Sequence, residues 1–160
     1  MDGRAFALEK ITDVWPELEP LATLHLTEVS AATRWLRLDR DAYAAMEAAD
    51  RHAFHTMRIN GELSGYCSTL ICQSPHDGLL EAHEDGIYVR PDLRGWSGSD
   101  LEHFVDTMMA CRGCSRSFRE RIIGTDHDAK DRAMRRGPLG YKPQSVLWCK
   151  ELAAVGVENG

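Results

Sequence analysis

The chain has 160 residues, of which 43% are hydrophobic and 28% are charged, values typical of a globular domain rather than of a disordered or fibrous protein. Its formal net charge of −6 argues against nucleic acid as the main partner, because phosphate backbones are bound by clustered Lys and Arg. The start of the chain, MDGRAFALEK, carries an acidic residue where a signal peptide would have basic ones, and no apolar run reaches the length of a membrane span. We therefore expect a cytoplasmic protein without a membrane partner.

A chain of this length fits one compact domain. Residues 1–155 are expected to form that domain, and residues 156–160 a short frayed tail.

The first fifty residues predict two or three helices. Apolar residues from Phe6 to Trp15 recur at helical spacing, and Pro16 and Pro20 are expected to interrupt the pattern. Asp39 is placed to cap a later helix that runs to Ala48.

The hydrophobic period changes to two after residue 51. Alternating segments at 52–59 and 63–72 flank Asn60-Gly61, and Asn-Gly between such segments is the strongest short-range signal of a β-hairpin. A third strand is expected over 79–89, ending before Pro91.

The second half of the chain predicts alternating helices and strands: helix 97–110, strand 119–123, helix 128–136 and strand 145–152. Such alternation after a hairpin indicates an α/β (α+β) fold, in which a mixed sheet carries helices on its faces.

The five cysteines are odd in number and lack a repeated spacing, which favours reduced thiols over disulfides. Cys111 and Cys114 have the spacing of metal ligands, but the second ligand pair of a structural zinc site is missing. We therefore expect no metal site.

Residues 86–101 form a strand that breaks at Pro91 and re-enters a helix through a turn rich in Gly and Ser. Backbone N–H groups and the peptide dipole at a helix N-terminus favour an anion. A pyrophosphate cradle and an ordinary strand–helix connection are both compatible with this pattern.

The segment Val89-Arg-Pro-Asp-Leu-Arg-Gly95 resembles the acetyl-CoA motif of the GNAT acyltransferase superfamily, and LGYKPQSVLWCKEL at 139–152 resembles its terminal signature. The two matches stand in the family's order, and the resemblance covers roughly residues 50–152. The opening of the chain and the segment EAHEDGIYVRPDLRG at 81–95 also resemble GNAT-like proteins of tailed bacteriophages, which would place the protein in the host cytoplasm.

The resemblance implies the GNAT fold, with N-terminal helices and a central, mixed, mostly antiparallel sheet of about six strands flanked by helices. It also implies acetyl-CoA as co-substrate. The pantetheine arm would pair with the strand at Ile87, Tyr88 and Val89. The pyrophosphate would lie on the turn and helix start formed by Arg94, Gly95, Trp96, Ser97, Gly98 and Ser99. Serines occupy positions 97 and 99, where the family pattern has glycine or alanine.

Direct attack of an amine on the thioester needs a general base. Glu84 stands where GNAT enzymes often keep theirs, although a solvated acidic strand edge is the alternative interpretation. A tyrosine that many members use as the acid is missing from residues 133–138. The expected function is acetyl transfer from acetyl-CoA to an amine, either a small molecule or a protein lysine. The alternative is a catalytically degenerate GNAT fold that acts as a binding or structural protein, with a protein partner or a second copy.

Overall fold

The computed structural model describes residues 3–29 and 38–119. In chain order, their secondary structure elements are β1 (Arg4–Glu9), α1 (Ile11–Val29), α2 (Arg40–Ala48), β2 (His52–Ile59), β3 (Glu62–Gln73), β4 (Leu80–Val89), a 3-10 turn (Pro91–Leu93), α3 (Trp96–Cys111) and β5 (Arg116–Phe118).

The strands form one sheet in the order β1-β2-β3-β4-β5. The first three pairs are antiparallel and β4 pairs with β5 in parallel. The expected mixed, mostly antiparallel sheet with flanking helices is therefore confirmed, with five of the roughly six predicted strands in the described residues. None of the helices in the described ranges is long and apolar enough to cross a membrane.

Two predictions for the N-terminal region were wrong. Arg4–Glu9 is a strand rather than the start of a helix, because its backbone pairs with β2, with Phe6 opposite Met57. Six residues are too few to separate the two periods by pattern alone.

Pro16 and Pro20 also do not end a helix, since both lie inside α1. They occupy its exposed side, while Ile11, Val14 and Leu18 are buried against the sheet. Tertiary packing of an apolar face supplies most of the stability of a helix, so α1 tolerates the two lost backbone hydrogen bonds.

The other local signals in the described residues are confirmed. Asn60 and Gly61 form the β2–β3 turn with φ of 51° and 89°, as the tight hairpin requires. The Asp39 carboxylate accepts hydrogen bonds from the amides of Asp41 and Ala42, both at 3.1 Å. β5 begins at Arg116, earlier than the predicted strand 119–123; residues 120–123, the helix 128–136, the strand 145–152 and the tail 156–160 lie outside the described residues.

Apolar side chains pack on both faces of the sheet. One cluster joins the sheet to α1 and consists of Ile11, Val14, Leu18, Leu21, Ala22, Phe54, Leu63, Tyr66 and Tyr88. The other joins it to α3 and consists of Ala53, Met57, Cys67, Ile71, Ala82, Val89, Leu101, Val105 and Met109. The sheet thus has an α1/α2 face and an α3 face, and side chains of β4 reach both.

The buried histidines of β2 predict a pH-dependent stability. Burial lowers the pKa of His52 and of His55 to about 4, from an ordinary value of 6.5. Both would titrate near 6.5 in the unfolded chain. Between that pH and 4 the unfolded chain binds more protons than the folded one, so the free energy of unfolding is unaffected by these groups above pH 6.5 and decreases as the pH falls towards 4. Each histidine adds a slope of up to about 1.4 kcal/mol per pH unit to the free energy of unfolding.

Urea unfolding at pH 7, 6 and 5 measures this slope. We expect His55→Leu to remove roughly half of it, because one of the two sites no longer titrates. A slope unchanged in that variant would show that other groups set the pH dependence.

Candidate active site

The connection between β4 and α3 is a turn that only glycine adopts readily. Gly95, which precedes the first residue of α3, has φ of 100° and ψ of −121°, a conformation that side chains strain. Among the described residues, no side chain forms a capping hydrogen bond here. The first amides of α3 are therefore at a helix N-terminus of the kind that binds anions.

The described residues leave space in front of the first turn of α3. A Cβ atom built on Gly98 would meet none of their atoms within 4 Å, and the same is true of Gly95. Ser97 is only 9% exposed, so its side chain is turned into the protein. Ser99 is half-buried. Gly95 and Gly98 thus border space that the described residues leave open.

Arg94 connects this turn to its surroundings. Its Nε donates a hydrogen bond to the Val89 carbonyl at 3.0 Å, and its guanidinium lies 5.4 Å from the centre of the Tyr88 ring. It also forms an ion pair with Glu28 of α1. Arg94 thus fixes the end of β4 against α1.

The C-terminal half of β4 pairs along one edge only, within the described residues. Ile87, Tyr88 and Val89 pair with β3. On the other edge, within the described residues, β5 pairs only along Glu81–His83. Within the residues that the structure describes, no strand pairs with this edge of β4 beyond His83.

A β-bulge interrupts β4 at Asp85. Ser68 pairs with Gly86 and Thr69 with Glu84, which leaves Asp85 as an extra residue. Bulges re-aim side chains next to functional sites. Here Asp85 points to the α1/α2 face, where it is exposed, and its Oδ2 accepts hydrogen bonds from the Tyr43 hydroxyl at 2.6 Å and the Ser68 hydroxyl at 3.0 Å.

The hydrogen bonds of Asp85 continue through Ser68 to a buried histidine. Ser68 Oγ lies 2.9 Å from Nε2 of the buried His52. Burial, together with the hydrogen bond to Asp85, raises the pKa of Tyr43, so its hydroxyl stays a proton donor to the carboxylate. Asp85 is therefore a fixed carboxylate at the surface of the sheet.

Glu84 lies on the opposite face and is 7% exposed. Its Oε2 is 3.6 Å from Nε of the buried Arg119, which also pairs with Asp106 of α3 at 2.7 Å. The predicted base is thus part of a buried ion-pair group. Sequence reasoning gave Asp85 no role, although Gly86 after it was an available signal, because glycine inside a strand often marks a bulge.

A cleft of about 360 Å³ opens beside the bulge. It is lined by apolar and charged side chains together: Met46, Arg51, Leu70, Ile71, Cys72, His83, Glu84 and Asp85. The cleft and the bulge adjoin one another along β4.

Solved structures resemble the fold of this chain. A ribosomal-protein-alanine N-acetyltransferase from Brucella melitensis biovar Abortus 2308 aligns with a TM-score of 0.67 at 18% identity, over 96% of this chain and 99% of that one. An aminoglycoside acetyltransferase from an uncultured soil metagenomic sample, in complex with sisomicin, aligns with a TM-score of 0.75 at 12% identity, over 94% and 97%.

Aminoglycoside N-acetyltransferase AAC(6′)-Iy in complex with CoA aligns with a TM-score of 0.68 at 14% identity, over 96% of this chain and 97% of that one. The chain has the GNAT fold. No protein-family model matches the sequence, and no curated protein sequence is significantly similar to it. At these identities the likeness establishes the GNAT fold and leaves activity to be argued from the site.

Part of the predicted GNAT site lies outside the described residues. This holds for the terminal signature at 139–152 and for the segment 133–138, where many members carry their acid. The described residues nevertheless bring together, on β4 and the start of α3, the segments 87–89 and 94–99 that the resemblance assigns to the coenzyme.

Proposed function

We propose that the protein is an N-acetyltransferase that uses acetyl-CoA and an amine acceptor. The observation that carries the proposal is the β4–α3 turn, in which Gly95 and Gly98 leave the N-terminus of a 16-residue helix open to a ligand. A pyrophosphate there would accept hydrogen bonds from backbone amides and interact favourably with the helix dipole.

The pantetheine arm would lie along the edge of β4 that carries no paired strand beyond His83 among the described residues. Backbone groups of Ile87, Tyr88 and Val89 are the proposed partners, since an extended arm can pair with a strand edge as a peptide does. The thioester would then lie close to the bulge. Ser97 does not oppose this arrangement, because it is buried, and Gly95 and Gly98 leave space beside the turn.

The reaction is a nucleophilic substitution at the thioester. The amine nitrogen attacks the carbonyl carbon, a C–N bond forms, the C–S bond breaks, and coenzyme A leaves as a thiolate that takes up a proton. A base must first remove the proton of the acceptor's ammonium group.

We propose Asp85 as that base. Its carboxylate is exposed and is held by Tyr43 and Ser68, whereas Glu84 is buried beside Arg119. Glu84, favoured by the sequence, stays a prediction, and paired substitutions separate the two.

The acceptor would enter through the cleft beside Asp85. The exposed Asp85 carboxylate beside apolar Met46 and Leu70 suits an amine that carries both a positive charge and an apolar surface. The similar structures include an aminoglycoside acetyltransferase and a ribosomal-protein-alanine N-acetyltransferase. The proposed acceptors therefore include small molecules and proteins. The proposed location is the cytoplasm, that of the host if the gene is carried by a phage.

A thiol-release assay with acetyl-CoA and a panel of amines tests the proposal. The panel should contain an aminoglycoside, a polyamine, a lysine peptide and a peptide with N-terminal alanine. We expect amine-dependent release of coenzyme A with at least one class, and acetylated product by mass spectrometry. Coenzyme binding without turnover on any acceptor would instead support a binding protein.

A further inference from the structure

Three side chains of metal-binding type meet on the α1/α2 face of the sheet, at the end of β4 away from the coenzyme turn. Cys72 of β3 and Glu81 of β4 are direct cross-strand partners. His83 follows two residues after Glu81 and therefore projects from the same face. The Cys72 sulfur, a Glu81 carboxylate oxygen and a His83 ring nitrogen all lie within 4.8 Å of one another.

Their spacing is close to that of zinc ligands. Zinc bonds to S, N and O of about 2.0–2.3 Å in a tetrahedron place ligand atoms roughly 3.3–3.6 Å apart. His83 Nε2 and Glu81 Oε2 are already 3.3 Å apart. The sulfur can reach the same spacing by a movement of about 1 Å, within the range of side-chain torsions.

Neighbouring groups hold two of the three ligands in place. The His83 ring stacks on Phe118 with centroids 4.6 Å apart and planes at 11°. Arg116 donates a hydrogen bond to Glu81 Oε1 at 2.7 Å. The other carboxylate oxygen, Oε2, faces His83. Such outer-shell contacts orient ligands in metal sites. The charge of Arg116 is itself offset, because it also pairs with Asp77.

We propose that Cys72, Glu81 and His83 bind a zinc ion, with water from the adjoining cleft as the fourth ligand. Cys72 and His83 both line that cleft, and a Cys, His and carboxylate set suits zinc better than magnesium or calcium. The thiol proton would pass to solvent as the thiolate binds the ion. The proposal does not rest on the proposed acetyl transfer, and neither Asp85 nor the coenzyme turn supplies a ligand, but the zinc would lie beside the cleft proposed for the acceptor.

Cobalt substitution tests the site directly. The full-length, tag-free protein is kept reduced, treated with a chelator, desalted and titrated with Co²⁺. We expect one equivalent to produce a thiolate-to-cobalt charge-transfer band in the near ultraviolet with visible bands of tetrahedral intensity, and Zn²⁺ to abolish both.

Cys72→Ser should remove the charge-transfer band, and His83→Gln should weaken binding by more than the roughly 10- to 100-fold that loss of an outer-shell partner costs. Cys111→Ser is the matched control, because Cys111 is exposed and outside the group; it should behave as wild type. Circular dichroism checks that each variant is folded. Absence of the band in folded wild-type protein, or its persistence in Cys72→Ser, would overturn the proposal.

Discussion

Replacing Asp85 with Asn is expected to lower kcat by roughly 100- to 10,000-fold, the usual contribution of a general base. Asn has nearly the same shape as Asp. It keeps an oxygen that can accept hydrogen bonds from the Tyr43 and Ser68 hydroxyls, which donate to the Asp85 carboxylate in the native protein. The fold and the affinity for coenzyme should therefore survive. Steady-state kinetics with the best acceptor, together with thermal denaturation, measure both effects.

Glu84→Gln is the matched comparison, one residue away on the other face. Arg119 would keep Asp106 but lose one of its negative partners, so we expect the free energy of unfolding to fall by about 1–3 kcal/mol. Activity at a temperature where the variant is folded should change much less than in Asp85→Asn. The reverse order of effects on kcat would assign the base to Glu84.

Gly98→Asp is expected to weaken acetyl-CoA binding by roughly 10- to 100-fold, because it places a negative charge in the space proposed for the pyrophosphate. The same change should not destabilise the protein. A carboxylate in the first turn of a helix is favourable by about 0.3–1 kcal/mol, and the new side chain has room, since a Cβ on Gly98 meets nothing within 4 Å. Calorimetry gives the affinity and thermal denaturation the stability.

Gly98→Ala is the control variant, because it adds a side-chain carbon at the same position without adding a charge. It should retain coenzyme binding and raise the free energy of unfolding by about 0.5–1 kcal/mol, as expected when glycine inside a helix is replaced. If Gly98→Asp and Gly98→Ala bind acetyl-CoA equally well, the pyrophosphate does not bind at the start of α3.

The parts of the fold that the sequence predicted are those specified by local chemistry. Asn60-Gly61 has few alternatives to a tight hairpin turn, and Asp39 offers its carboxylate to the next helix wherever that helix packs. Pro91 and Gly95, which disfavour a continuing strand, likewise predicted the turn that precedes α3.

The errors arose where tertiary contacts decide. Residues 4–9 become a strand because β2 offers an edge, and α1 continues through Pro16 and Pro20 because its buried face packs on the sheet. The bulge at Asp85 depends on the register between two strands, which strict alternation cannot show. The grouping of Cys72 with residues 81 and 83 depends on the same register.

The central claim is that the turn between β4 and α3 binds the coenzyme, and calorimetric titration of the wild-type protein with acetyl-CoA tests it most directly. We predict saturable binding of one equivalent in the micromolar range, a typical affinity for an enzyme's substrate. Absence of binding by correctly folded protein at millimolar acetyl-CoA would contradict the account.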